Sequence, residues 1–225
     1  MTLRRKVFTI HPVVSFLLFD LDNTLYSPSS GMYEYMHEGM SAFVAELLGV
    51  DLQAATDLRR RNSLRYGSTL RWLKATREEI DIESFLERIH PANVENYLTY
   101  TAEPRNVLSA IDLPKGVLTN SPKEHAERVL DFFGIRELFD FVLDLRADGF
   151  KGKPDRSAYE RAIEASGRPV EEILYLDDIL HYLEPFRELG GQVALVDELN
   201  RYDGHAAEIP RLRSIRELPA FLEGN

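Results

Sequence analysis

The stretch Phe16-Leu17-Leu18-Phe19-Asp20-Leu21-Asp22-Asn23-Thr24 decides the fold. Four consecutive apolar residues have strand length. A run that is apolar at every position is buried on both faces, as in a parallel sheet. Two aspartates follow at once, spaced i and i+2, so on extended backbone they point to the same side. Two carboxylates placed together are costly unless something neutralises them. A turn or helix cap also favours Asp, Asn and Thr, so the weight of the motif depends on what the other strands carry.

Working outward, Gly116-Val117-Leu118, Phe139 to Leu145, Ile173 to Leu176 and Val193 to Val196 read as further buried strands. Between the later ones lie helix-length patterns, Lys123 to Phe133, Ser157 to Ser166 and Leu183 to Leu189. Gly134, Gly167 and Gly190 follow them, where a C-terminal cap is expected. This alternation predicts an α/β fold with a doubly wound, mainly parallel sheet.

One interval breaks the alternation. From Ser27 to Ala110 there is no buried strand, and Met32 to Leu48, Leu52 to Arg61, Thr69 to Thr76, Ile82 to Glu87 and Pro104 to Ile111 all read as helices. Such a block is too long for a crossover loop. It reads as an all-helical subdomain, residues 27–110, inserted into a core made of residues 1–26 and 111–225. An insert at this point sits over the carboxyl ends of the strands, where open α/β sheets bind ligands.

The 225 residues carry 27 Lys plus Arg against 37 Asp plus Glu, a net charge of −10, and no cysteine. That excludes a disulfide framework, a thiolate metal site and a cysteine nucleophile. The acidic balance argues against a nucleic-acid polymer as partner. Arg4, Arg5 and Lys6 precede an apolar stretch, but Pro12 interrupts it and it ends in Asp20 and Asp22, so a strand is expected rather than a signal peptide. No stretch is long enough to span a membrane. A cytoplasmic monomer or homodimer is expected, since absence of cysteine suits a reducing compartment.

The other strand ends carry chemistry too. The second ends in Thr119-Asn120-Ser121, with Pro122 and Glu124 following. Ser121 reads as a helix N-cap, and a helix N-terminus at a strand end also binds phosphate through its free N–H groups. Lys151-Gly152-Lys153-Pro154-Asp155 follows the third strand; a lysine there balances a carboxylate or holds a phosphoryl oxygen. The fourth strand ends in Asp177-Asp178, whose natural partner is a divalent cation. In a parallel sheet all four sets converge on one edge.

With these motifs the chain resembles the haloacid dehalogenase (HAD) superfamily of phosphohydrolases over essentially its whole length. Asp20-Leu21-Asp22-Asn23-Thr24 looks like the first motif, Thr119 the second, Lys153 the third and Asp177-Asp178 the fourth; the helical insert looks like the cap. FDLDNTLY, Tyr66 to Arg71 and LTNSPKEHAERVL are similar to the pyrimidine 5′-nucleotidase group. Two positions depart from the superfamily pattern. Counted from Asp178, Ile179 and Tyr182 stand where a hydroxyl residue and a further Asp or Asn are usual, so a polar contact to the metal or lysine is expected to be lost.

The resemblance implies Mg²⁺-dependent hydrolysis of a small phosphate monoester, a nucleoside 5′-monophosphate being the first guess. Asp20 would be the nucleophile and Asp22 the general acid and base. Asp22 is then expected to be tuned upward, because a normal Asp, near pH 3.9, is ionised at neutrality. Mg²⁺ would lie between Asp20, the backbone carbonyl of Asp22 and Asp178, with Asp177 beside it. Thr119, Asn120 and Lys153 would hold the phosphoryl oxygens. Tyr26, Tyr66 and Arg71 are the candidates for substrate choice. Trp72 reads as cap core, Arg59 to Arg61 as a solvated helix face, and His125 and His181 as surface or otherwise satisfied residues. Asp22 argues for phosphate over halide chemistry, since a departing halide needs no proton. A phosphosugar or phosphoglycolate phosphatase, a phosphomutase, and a catalytically weak binding relative stand as alternatives.

Overall fold

The computed structural model describes residues 13–77, 79–203 and 208–224. The basic residues Arg4 to Lys6, and Pro12, lie outside them. Among the described residues, six parallel strands form one sheet: β1 (Phe16–Phe19), β2 (Lys115–Leu118), β3 (Phe141–Leu143), β4 (Ile173–Asp177), β5 (Gln192–Val196) and β6 (Arg211–Leu212). Their order is β3-β2-β1-β4-β5-β6. The chain winds outward from β1 to β3, then returns to place β4 on the other side of β1, in register from Phe16 opposite Ile173 to Phe19 opposite Leu176. The reversal of direction opens a crevice beyond β1 and β4, the general ligand position in such sheets.

The apolar runs divide by alternate residues. Leu17, Phe19, Val117, Leu174 and Leu176 pack on one face with α5 (Glu103–Ser109), α6 (Lys123–Phe132) and α9 (Leu218–Gly224). Phe16, Leu18, Leu118, Tyr175 and Leu195 pack on the other with α7 (Arg156–Ser166) and α8 (Leu180–Glu188). Burying a side chain of this kind contributes roughly 1.5–3 kcal/mol. Gly116 is needed on β2 because the Phe141 ring lies where a Cβ would stand.

Between β1 and β2 the insertion contains α1 (Met32–Leu48), α2 (Leu52–Tyr66), α3 (Thr69–Thr76) and α4 (Ile82–Ile89). Asp51, Ser68 and Asp81 cap the last three, each accepting from the backbone N–H three residues on. Val44, Ala55, Leu70, Trp72, Leu73, Phe85, Leu86 and Ile89 make a separate cap core, and Leu145 from the loop after β3 packs into it. Val94, Leu98 and Leu108, further along the chain, pack instead with the sheet.

Several elements differ from the sequence reading. The third strand is only Phe141–Leu143, because Leu145–Asp148 turns into a 3₁₀ segment that carries Leu145 to the cap. Helix α2 runs on to Tyr66, where Gly67 ends it, and α8 begins at Leu180 rather than Leu183. Strand β6 and helix α9 were not anticipated: two strand residues carry too short a pattern to register.

Candidate active site

Strand β1 stops after Phe19, but the backbone of Asp20 still donates to the Leu176 carbonyl at 2.8 Å, holding Asp20 to the sheet. The chain then turns. Asn23 takes positive φ, a conformation that asparagine tolerates, and Leu25 N–H closes onto Leu21 O at 3.0 Å. This turn sends the two acids to different partners.

Asp20 is 6% exposed. Its Oδ1 accepts from Lys153 Nζ at 2.6 Å, and Thr24 Oγ1 donates to its Oδ2 at 3.3 Å. Lys153 also donates to Asp177 Oδ2 at 2.7 Å. Asn120 fixes the lysine in place: it accepts from Lys153 N–H at 2.7 Å and donates to Lys153 O at 2.9 Å. Gly152 is required just before, since its φ is +62° and a Cβ there would lie 2.5 Å from Asn120 Oδ1.

One carboxylate oxygen from each of Asp20, Asp177 and Asp178 lies within 4.8 Å of the others, and all three residues are buried. Burial, opposed by Lys153 and reinforced by Asp177, Asp178 and Asp22, pushes Asp20 well above the usual carboxylate range. Burial and Asp177 push Asp178 up to about 7, against Arg201 and Lys153. Lys153 is raised as well: burial would lower it, but Asp177 and Asp20 more than offset that and keep it charged. These crowded acids disfavour one another's ionisation, and their clustered oxygens are the donor set of a hard divalent cation, which would favour it. A metal fits these residues.

Asp22 stands apart from that cluster. Its Oδ1 accepts from Tyr26 OH at 2.5 Å and from His125 Nε2 at 2.8 Å, and Ser121 Oγ donates to its Oδ2 at 2.5 Å. Burial works to raise this carboxyl, but His125 and the hydrogen bonds from His125, Ser121 and Tyr26 outweigh it and hold it well below the usual range. The expectation that Asp22 is tuned upward is corrected: sequence alone did not show three donors meeting on it. Behind Ser121 stands His90, at the end of α4, with Nε2 3.0 Å from Ser121 Oγ and Nδ1 2.8 Å from Leu86 O.

Cap and core enclose a cavity of about 1090 Å³ whose wall includes Asp20, Asp22, Thr119, Lys153 and Asp178 on the core side. A comparison with family profiles matches residues 14–190 to the haloacid dehalogenase-like hydrolases. The chain belongs to that family. Phosphate metabolism protein 8 of Saccharomyces cerevisiae is 25% identical over 94% of this chain and 74% of its own length. A glyceraldehyde 3-phosphate phosphatase of Methanocaldococcus jannaschii is 26% identical over 77% and 81% respectively. Among solved structures, a HAD phosphatase from Thermococcus onnurineus superposes with a TM-score of 0.65 at 18% identity, covering 94% of this chain and 99% of that one. The CbbY structure from Rhodobacter sphaeroides, solved with phosphate, gives 0.66 at 19% identity over 93% and 99%. The chain is a hydrolase of the phosphatase kind within the HAD family, and no helix among its described residues is long and apolar enough to cross a membrane.

Against the HAD pattern, the four strand-end motifs do meet at one edge. Thr119 Oγ1 accepts from Ser121 N–H at 3.0 Å, which leaves its own proton free to donate. Ser121 does not cap α6: the position before that helix is Pro122, Asp144 accepts from Lys123 N–H at 3.0 Å, and the Ser121 side chain serves Asp22 instead. The departures at Ile179 and Tyr182 are filled by other groups. Tyr175 OH donates to Asp177, Arg201 donates to Asp178 Oδ2 at 2.7 Å, and the Tyr182 ring lies 5.2 Å from Lys153 Nζ while its hydroxyl donates to Gly67 O of the cap at 3.2 Å.

The substrate-choice residues fare unevenly. Tyr26 is buried against Asp22. Tyr66 packs at the edge of the cap core and is not in the cavity wall. Arg71 is in the wall but pairs with Asp155 at 3.5 Å. Trp72 lies in the cap core and His181 is exposed, as read. His125 is fully buried on Asp22, and Arg59 is 4% exposed, neither a surface residue. Only a spacing that already pairs α6 with the β1 turn could have revealed His125, and a single sequence does not supply one.

Proposed function

We propose that this chain hydrolyses a small phosphate monoester through an aspartyl-phosphate intermediate, with Mg²⁺ as its resident ion. The observation that carries the reading is the pair of acids at one strand end with separate surroundings. Asp20 faces Lys153 and the acidic cluster, while Asp22 sits in a nest of proton donors.

In the first half-reaction an Asp20 carboxylate oxygen bonds to phosphorus as the ester P–O bond breaks. Asp22, ionised in the free site, takes a proton from solvent when the anionic phosphoryl group arrives beside it and disfavours its charged form, and gives that proton to the departing alkoxide. In the second half a water attacks phosphorus and Asp22 takes its proton. The bond between Asp20 and phosphorus then breaks, releasing phosphate and restoring the carboxylate. Lys153, Thr119 and the N–H of Asn120 hold the phosphoryl oxygens.

The surroundings of Asp22 accommodate both of its protonation states. His90 is buried and held down to about 3, so it is neutral, and with its Nδ1 proton on Leu86 O its Nε2 is an acceptor. The Ser121 hydroxyl proton can then point to Asp22 Oδ2 or to His90 Nε2. In the second arrangement Oδ2 carries its own proton, donating to Ser121 Oγ, with no heavy atom displaced.

Asp20, Asp177 and Asp178, with the backbone carbonyl of Asp22, are the residues that would hold Mg²⁺. The ion offsets charge between an anionic nucleophile and an anionic phosphate. A panel of nucleotides, phosphosugars and phosphoglycolate, assayed for phosphate release with and without Mg²⁺, tests the reading. Mg²⁺-dependent release from at least one class is expected, and none from any contradicts it. The resemblance of Tyr66 to Arg71 points to a nucleoside 5′-monophosphate as the finer substrate, but Tyr66 lies outside the cavity wall and Arg71 is paired with Asp155, which favours the alternative, a phosphosugar or phosphoglycolate.

A further inference from the structure

Arg59 is a buried cation without a counter-charge. It lies on α2, is 4% exposed, and forms part of the cavity wall that also contains Asp20. Its Nε donates to Ser41 Oγ at 3.1 Å and its Nη2 meets His37 Nδ1 at 3.0 Å, while Nη1 is 3.9 Å from Met40 Sδ. All three partners come from α1 and all are neutral. His37 is held down to about 4 by burial and by Arg59, Arg60 and Arg201, so its Nδ1 is an acceptor. Among the described residues no carboxylate lies within ion-pair distance of Arg59. Three other cations of this wall differ: Lys153 holds Asp20 and Asp177, Arg201 holds Asp178, and Arg71 holds Asp155, while Arg60 and Lys151 are exposed to solvent.

Burying a guanidinium with only neutral partners is costly, and arginine does not escape by losing its proton. The fold adds to the cost by placing Arg60, exposed in the same wall, directly beside it. Arg59 thus keeps spare donor capacity beside Arg60, and although Glu34, Glu38 and Glu184 also line the cavity, none of them pairs with it. A ligand that enters the cavity with a second anionic group supplies the missing charge, and a planar fork is matched to carboxylate and phosphate oxygens.

We propose that Arg59 is the recognition residue for a second anionic group on the substrate, so that the molecule hydrolysed is a phosphorylated carboxylic acid or a bisphosphate rather than a phosphomonoester with a neutral tail. The proposal rests on the phosphatase reading for the reacting end and adds the chemistry of the far end. The guanidinium binds the tail while the phosphoryl group sits at Asp20, which orients the substrate along the cavity.

The test compares kcat/KM on phosphoglycolate, 3-phosphoglycerate and fructose 1,6-bisphosphate with that on glycerol 1-phosphate and uridine 5′-monophosphate. The wild type prefers a substrate with the second anion, the carboxylates and the bisphosphate telling the two tail types apart. On Arg59→Met that preference ratio falls about 100-fold, and on the charge-retaining Arg59→Lys by less, about tenfold, because the fork is lost. A wild type that prefers the neutral-tailed esters, or a folded Arg59→Met with an unchanged ratio, overturns the proposal. A second readout needs no turnover. Succinate, a dianion without phosphorus, raises the Tm of the wild type and not that of Arg59→Met; an equal shift in both overturns the proposal. If no ester is hydrolysed but succinate discriminates the two proteins, the phosphatase reading fails and the anion site stands.

Discussion

His90 touches Ser121 across the boundary between cap and core, Nε2 to Oγ at 3.0 Å, and Ser121 is the residue that donates to Asp22. The cap therefore reaches the proton-transfer group through this hydroxyl, and the His90 ring also lies 4.7 Å from that of His125, the other partner of Asp22. A His90→Ala protein loses the acceptor that lets Ser121 turn away from Asp22. The expected result is a fall of about tenfold in kcat for an alkyl phosphate, whose alkoxide needs a proton, and a smaller one for p-nitrophenyl phosphate, whose phenolate does not. Equal losses on both substrates would mean that His90 serves only to pack the cap.

Stability should report the same residue. His90 titrates near 3 in the fold, pushed down by burial and by His125, against 6.5 when exposed. Between those values the unfolded chain binds the extra proton and the folded chain does not, so stability is full above pH 6.5 and is lost as pH falls toward 3. The loss is of the order of a few kcal/mol. Chemical denaturation at pH 7 and pH 4.5 should show a smaller drop in His90→Gln than in the wild type; an identical drop would contradict the assignment.

Lys153 is held by two buried carboxylates, so removing it leaves both uncompensated. Lys153→Met should abolish turnover and cost about 3–5 kcal/mol at neutral pH. Denaturation measured with and without Mg²⁺ should show part of that cost recovered by the ion, which can neutralise Asp20 and Asp177. A variant as stable as the wild type without metal would show that the lysine is not the partner of these acids at neutral pH.

Metal binding can be read without turnover. Mg²⁺ should raise the Tm of the wild type, and Asp178→Asn should reduce that rise, because Asp178 is one of the three clustered acids. The same shift in both proteins would place the ion elsewhere.

The sheet and its site edge were legible because strong local signals coincided. The apolar runs of β1, β2, β4 and β5 are continuous, as strands buried on both faces require, and Asp20, Thr119, Lys153 and Asp177 each stand directly at a strand end or in the loop beyond one. Residues whose roles depend on tertiary contact were not legible. Arg59 sits in a run of three arginines on a helix of polar composition, and only the packing of α2 on α1 turns it inward. His125 looked ordinary on α6 until the β1 turn brought Asp22 to it. Ser121 has a good N-cap sequence context, yet a buried carboxylate competed successfully for its hydroxyl. Tyr66 and Arg71 have the chemical type that substrate choice needs, but whether a side chain faces the cavity is set by helix rotation and by partners such as Asp155.

The proposed reaction turns on attack of the Asp20 carboxylate on phosphorus. The measurement that tests it most directly is phosphate release by Asp20→Asn beside the wild type, with Mg²⁺ present and folding verified by circular dichroism. Mg²⁺-dependent release by the wild type is expected, with a loss of at least about 1,000-fold in the variant, since the amide cannot act as the nucleophile. A folded Asp20→Asn protein that releases phosphate at the wild-type rate would contradict the proposed attack.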